Sequence, residues 1–208
     1  MSDDNYCVIT PTIISVVITV LIVIIALCGD KLLTKVDNHF FKAIIDNTTH
    51  ASIGLFSWAI VVFSSNSIHN LKLSHFAEIL SCGIIASFID LDHFIAARSL
   101  TLQDALHLNR RPPFHSTSLL ILVFFSFYIS GKVLNINVLN QMSWIIFVAG
   151  GSHHLRDGVR RGLWFPPFGS TPPLHHVIYL GSLALLPHIV AFLMPNISAP
   201  KVTRYMIV

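Results

Sequence analysis

Charge is what this chain of 208 residues has least of. Asp, Glu, Lys and Arg make up 11% of it, against about 25% in a soluble domain. A surface so poor in ions cannot face water all round, which excludes a soluble globular enzyme and a disordered tail. Thirteen basic and ten acidic residues leave a net charge of +3. That is too small and too dispersed to track a phosphate backbone, so nucleic acid is excluded as a partner. Cysteine is scarce as well. Cys7, Cys28 and Cys82 stand too far apart for a zinc knuckle and are too few for a disulfide framework. What abounds is apolar: 53% of residues are hydrophobic and the mean hydropathy is +0.70. Against that background twelve histidines, more than the acidic residues, are the anomaly.

A helix needs roughly 20 predominantly apolar residues to cross a bilayer. Residues 12–28 form an uncharged Ile, Val and Leu run. Its leader carries Asp3 and Asp4 and no basic residue, unlike a signal peptide, so it is expected to be a retained span. Further segments fall at 44–63, 76–97, 116–131, 138–151 and 174–194. The fold class expected is therefore an all-α polytopic membrane bundle, a single transmembrane domain over 1–208. It should have about six transmembrane helices, or five if the short 138–151 segment does not cross. The two longer connections, 98–115 and 152–173, are where chemistry would most easily sit.

With six spans, nine of the thirteen Lys and Arg fall after spans one, three and five. The positive-inside rule makes that side cytosolic and puts both termini on the other. The sequon at Asn196 lies on that outer side, too near the last span to carry weight. Nine of the twelve histidines share the cytosolic side, as do Asp46, Asp90, Asp92 and Asp157. The orientation rule used neither residue type, so their segregation is independent information. Spacing adds to it. Asp46 and His50, and His153 and Asp157, are four apart, while Asp90 and His93 are three apart. Each pair shares one helix face. Asp92 points away on a regular helix and joins the others only if the helix ends or unwinds there. Imidazole with carboxylate is the donor set of Zn, Mn or Fe sites. A charged residue within a span costs about 2.5–3.5 kcal/mol, so Asp90 and Asp92 require a partner, either a metal ion or the nearby Arg98, Arg110 and Arg111. Lone histidines such as His39, His107, His175 and His176 read as interfacial anchors. Asp46 reads equally as a first-turn acid of the second span. Arg156, Arg160 and Arg161 read either as orientation signals or as contacts to lipid phosphate.

At these residues the chain resembles the YdjM-type membrane proteins, a family predicted to be metal-dependent hydrolases. The match covers roughly residues 46–170 as an ordered set: Thr49-His50 with Gly54, then Ile89-Asp90-Leu91-Asp92-His93, then Arg111-Pro-Pro-Phe-His115-Ser116, then Ser152-His153-His154-Leu-Arg-Asp157 with Gly162 and Pro167-Phe168. Arg110 stands where that signature has a histidine, Ile89 where it has a proline and Phe114 where it has a threonine. The resemblance implies a hydrolase in which His50, Asp90, His93, His115, His153 and Asp157 hold one or two divalent ions, Zn or Mn. Such an ion lowers the pKa of a coordinated water toward ~7. Asp92 is then general base or orienting residue, and Arg110 and Arg111 stabilise an anionic transition state. A site at the cytosolic boundary flanked by arginines suits membrane lipid as partner, through a phospholipid head group or another phosphate ester. The rival expectation is a non-catalytic membrane protein whose His/Asp/Arg cluster is a structural or binding network. A transporter is disfavoured, because spans one, four and six carry nothing more polar than hydroxyls near mid-membrane.

Overall fold

A computed structural model describes residues 3–65, 71–108 and 110–194. His69, Asn196, Lys201 and Arg204 lie outside them. The protein is an all-α helical membrane bundle. Its helices are α1 (Asp3–Lys35), α2 (His39–Ser65), α3 (Leu73–Phe88), α4 (Asp92–Ala97), α5 (Leu102–Leu106), α6 (Thr117–Val133), α7 (Asn137–Arg161) and α8 (His176–Leu193). Three stretches are long and apolar enough to cross a membrane: Thr12–Lys35, Leu73–Ala97 and His176–Leu193. α6, with 17 residues, is apolar but one residue shorter than the shortest of these. α2 and α7 are the longest of the rest, and their mean polarity is raised by the His, Asp and Arg residues that make them interesting. The outer surface is apolar, as lipid requires: Val17 of α1, Leu80 of α3 and Phe192 of α8 are all exposed.

Helix ends are set by local chemistry. Asn38 starts α2, its side-chain oxygen accepting the backbone N–H groups of Phe40 and Phe41 at 2.9 and 3.3 Å, as an N-cap should. Ser116 caps α6 by accepting from Leu119 at 3.1 Å, and His175 caps α8 by accepting from Val177 at 3.3 Å. α7 stops at Gly162, whose φ of 70° places it in the region glycine tolerates best. A side chain there would collide with the Thr171 carbonyl. A short hairpin follows, pairing Trp164–Phe165 with Gly169–Ser170. Trp164 also bridges to Ser116, which ties the hairpin to the start of α6.

Two packing features position the functional end. First, α2 and α3 meet closely at small residues. A Cβ on Gly54 would lie 2.7 Å from Ala86 Cβ, and one on Gly83 would lie 2.9 Å from the Ala51 carbonyl. Small residues at such crossings let membrane helices approach. Second, the α3 helix tightens into a 3-10 turn over Ile89–Leu91 before α4 begins. Residues two apart diverge by about 160° on an α-helix but by about 120° on a 3-10 helix. That change of pitch turns Asp92 toward the face that Asp90 occupies. α4 then ends at Arg98 in the left-handed region, φ 52°.

Candidate metal centre

The C-terminal end of α1, the start of α2, the end of α3, the start of α6, the end of α7 and the start of α8 converge at one end of the bundle. Four side chains from three of these regions meet there. His115 Nε2 lies 3.4 Å from Asp90 Oδ1 and 3.2 Å from Asp157 Oδ2. His153 Nε2 lies 3.5 Å from the same Asp90 oxygen and 3.4 Å from the same Asp157 oxygen. The two Nε2 atoms face each other at 3.3 Å. All four donor atoms lie within 4.8 Å of one another. Ideal tetrahedral coordination with bonds of about 2.0–2.1 Å has edges of about 3.3–3.4 Å, so the spacing suits one small divalent ion.

The outer contacts fix each ring. His153 Nδ1 lies 2.8 Å from the Ala86 carbonyl, which can only accept, so Nδ1 carries a hydrogen and Nε2 faces the cluster. His115 Nδ1 lies 3.3 Å from Asp92 Oδ1, leaving its Nε2 to face inward. Backbone carbonyl and carboxylate are the usual outer partners of metal-binding histidines. Asp92 is fully buried. Its Oδ2 also accepts the Phe114 N–H at 2.6 Å, and His93 Nδ1 lies 3.3 Å from its Oδ1. Burial alone would lower the pKa of His115, but hydrogen bonds with Asp157, Asp90 and Asp92 outweigh it and push it up to about 11.

The remaining candidates are placed differently. His50 is buried with its ring stacked on His153 at 3.8 Å, and its Nε2 sits 3.5 Å from Asp157 Oδ1, the oxygen turned away from the cluster. It braces two of the four donors rather than completing their set. His93 belongs with Asp92 and His115 Nδ1 in a second, smaller group. Arg111 donates to the carbonyls of Gly162 and Arg161, closing the C-terminus of α7, and also lines the cavity beside His115 and Asp157, while Arg110 is exposed beside Asp104 and His107 in an adjoining cavity that shares Leu108 and Arg111. The guanidinium beside the cluster is that of Arg160, 3.9 Å from Asp157 Oδ1 and bidentate to Asp46 at 2.6 and 3.1 Å. Asp46 also receives the buried Arg156, which reaches Asp30 at 3.1 Å. Asp30 in turn accepts the Tyr179 hydroxyl at 3.3 Å. The spacing of Asp157 and Arg160, three apart on α7, was the available signal for Arg160. Asp30 gave none, since Lys31 follows it and the pair looks like an ordinary helix end.

A cavity of about 210 Å³ opens onto this cluster. His115, Asp157 and Arg160 form one wall, and Leu106, Leu163 and Trp164 another. About a quarter of the Asp157 side chain stays exposed, 25%, and Asp157 and His115 line that cavity, so the cluster is accessible from it.

Transmembrane protein 267 of Mus musculus is 42% identical over 158 residues, covering 76% of this chain and 71% of its own length. The Danio rerio protein of the same name is 41% identical over 156 residues, covering 74% and 68%. That of Xenopus laevis is 39% identical over 163 residues, covering 77% and 73%. The chain belongs to the transmembrane protein 267 family. No family model matches it, and no solved structure matches it. Membership adds the membrane to what the fold already shows. The chemistry has to be argued from the cluster itself.

Proposed function

We propose that this chain is a membrane-embedded hydrolase dependent on a divalent ion, Zn or Mn, held by Asp90, His115, His153 and Asp157. The observation that carries the reading is the pair of Nε2 atoms 3.3 Å apart, each on a ring whose other nitrogen faces an acceptor. Two imidazole lone pairs aimed at each other repel unless a proton or a cation lies between them. Two carboxylate oxygens at tetrahedral spacing favour the cation. The ordered motif set shared with YdjM-type proteins points the same way. A divalent ion there supplies Lewis acidity and lowers the pKa of a water toward ~7.

The residues around it have separable tasks. Asp92 holds the His115 ring and the Phe114 backbone at once, which suits a positioning residue better than a general base. His50 keeps Asp157 turned toward the cluster. Arg160 supplies positive charge where an anionic group would enter, and Arg111 lines the same cavity. His115 and the exposed edge of Asp157 line the cavity, leaving a side from which substrate can approach. A cavity lined by Arg160 and Arg161 at the end of a membrane bundle suits a phosphate ester, with a phospholipid head group as the natural source.

The second reading, a non-catalytic ion-pair network, is favoured by one observation: with His115 protonated, the same contacts satisfy one another as ion pairs. Elemental analysis of the full chain purified in detergent separates the two. The hydrolase reading expects a stoichiometric divalent ion, lost in His153→Ala and in Asp157→Asn, and phosphate-ester turnover that disappears with it. A wild-type chain that stays metal-free after supplementation with Zn and Mn leaves the network reading standing.

A further inference from the structure

The cavity over the cluster is small. At about 210 Å³ it falls below the roughly 300–1,000 Å³ that encloses a drug-sized ligand, so it can take a head group and little more. The rest of a larger substrate must lie elsewhere. A second cavity, about 250 Å³, adjoins it between α1, α2 and α5. Leu33, Ala43 and Leu106 give it an apolar part, and His39, Lys42, Asp46 and Arg160 a polar one. Asp46, Leu106 and Arg160 line both cavities. The side chains at the junction are thus an ion pair and one leucine.

That ion pair is built so that one partner can leave. Asp46 is held by two guanidinium groups. Arg156 is buried, 1% exposed, and anchored on its far side by Asp30, whereas Arg160 is 46% exposed. If Arg160 turns toward an arriving anion, Arg156 still neutralises Asp46, so no bare carboxylate is left behind. Arg160 already stands between the junction and Asp157. Arginine matches phosphate oxygens with two parallel N–H donors.

Resting on the hydrolase reading, we infer that the substrate is an amphiphilic phosphate ester that enters sideways from the bilayer. Its phosphate is received by Arg160 over the His/Asp cluster, and its hydrocarbon chain lies over Leu33, Ala43 and Leu106. Lys42 meets the head-group level at the mouth of the side cavity. Arg160 is the residue that recognises the phosphate, and the α2/α5 gap selects for the tail.

The test compares two probes on the metal-supplemented full chain in detergent: inorganic phosphate, and dioleoyl phosphatidic acid read by native mass spectrometry. The wild-type chain should bind the lipid more tightly than free phosphate. Arg160→Gln should weaken both by about tenfold to a hundredfold, the worth of a charge-assisted hydrogen bond, and Arg160→Lys should restore part of the loss. Ala43→Trp should weaken the lipid by about tenfold more than it weakens phosphate. Metal content, read in parallel, reports whether each variant has folded. Equal affinity for the two probes in the wild type overturns the side entry. Unchanged binding in Arg160→Gln overturns the role of Arg160. A metal-free chain that still binds lipid through Arg160 sinks the hydrolase and keeps this site, while a metal-loaded chain that binds neither probe does the reverse.

Discussion

Replacing Asp92 by asparagine exchanges one oxygen for an amino group in a fully buried side chain. The oxygen that accepts the Phe114 N–H at 2.6 Å can be kept, since asparagine also offers a carbonyl. That kept carbonyl can still accept from His115 Nδ1, 3.4 Å away, but the other position now carries N–H donors within 3.3 Å of the Nδ1 atoms of both His93 and His115. The negative charge that makes the His115 ring a better ligand is also lost. Loss of an outer carboxylate partner costs about 10–100-fold in metal affinity, or roughly 1.4–2.7 kcal/mol. Asp92→Ala should differ in kind. It leaves the Phe114 N–H and the His115 ring without partners in a buried place, at about 1–3 kcal/mol for each orphaned group, and should destabilise the metal-free chain as well. The assay is competition for Zn against a chelator of known affinity, with thermal unfolding of the chelator-treated protein alongside. If Asp92→Asn binds Zn as tightly as the wild type, either His115 is no ligand or its strength as a ligand is set by something else, and the four-donor centre is wrong.

Other expectations follow from the same contacts. Arg156→Met removes a buried cation from both Asp30 and Asp46 and should cost about 3–5 kcal/mol in denaturant unfolding, more than Arg160→Met at its half-exposed position. Gly54→Val drives a side chain into Ala86 and the α2/α3 crossing. It should cost about 1–3 kcal/mol and also weaken metal binding, because the Ala86 carbonyl orients His153; unchanged Zn affinity would uncouple that crossing from the centre. The pKa of His115 rises from 6.5 unfolded to about 11 folded. Its contribution to stability is therefore complete below the first value and lost as pH climbs through the second. The wild-type minus His115→Gln difference in thermal stability, measured with chelator, should shrink from about pH 7 to about pH 10. Zn affinity should strengthen over the same interval, because binding must displace that proton.

Much of the centre was legible in the sequence because helical periodicity is a local rule. The four-residue spacing of His153 and Asp157 brings both to the cluster as the sequence expected. The condition placed on Asp92, that the helix must unwind for it to join Asp90, is met by the 3-10 turn over Ile89–Leu91. Helix pitch and helix contacts were not legible. Asp46 reads as a first-turn acid, yet α2 begins at His39 with Asn38 as its cap, which places Asp46 two turns in, opposite Arg156 and Arg160. Arg111 reads as a cation beside His115 and lines the same cavity, but its guanidinium is also held by the carbonyls ending α7. Both outcomes depend on which helix lies alongside, and no spacing within one segment encodes that. The span count meets a similar obstacle. The polar residues that α2 and α7 bring to the cluster are the same ones that depress their apparent fitness for lipid.

The charge at this end of the bundle argues for how the two groups of polar residues divide their work. Asp30 and Asp46 face Arg156 and Arg160. Two anions meet two cations there, and that network is neutral by itself. Asp90, Asp92 and Asp157 face only imidazoles, with Arg160 the one guanidinium paired to any of them among the described residues. One fully buried and two partly buried carboxylates would hold three negative charges if every facing ring were neutral, which proteins avoid by pairing or by metal coordination. Protonating His115 removes one of the three, and a divalent ion removes two. With the ion bound, the remaining single charge sits next to Arg160, which has a second anion in Asp46 to share with Arg156. A chain that needed only a stable bundle could have placed apolar residues at all three positions at no loss of stability. Three acids and three imidazoles gathered there are donor types that a divalent ion would take. The count also fixes a quantity to measure: at pH 7, where His115 already holds its proton, Zn should raise the thermal stability of the chelator-treated chain, and no gain would return the cluster to a purely structural role.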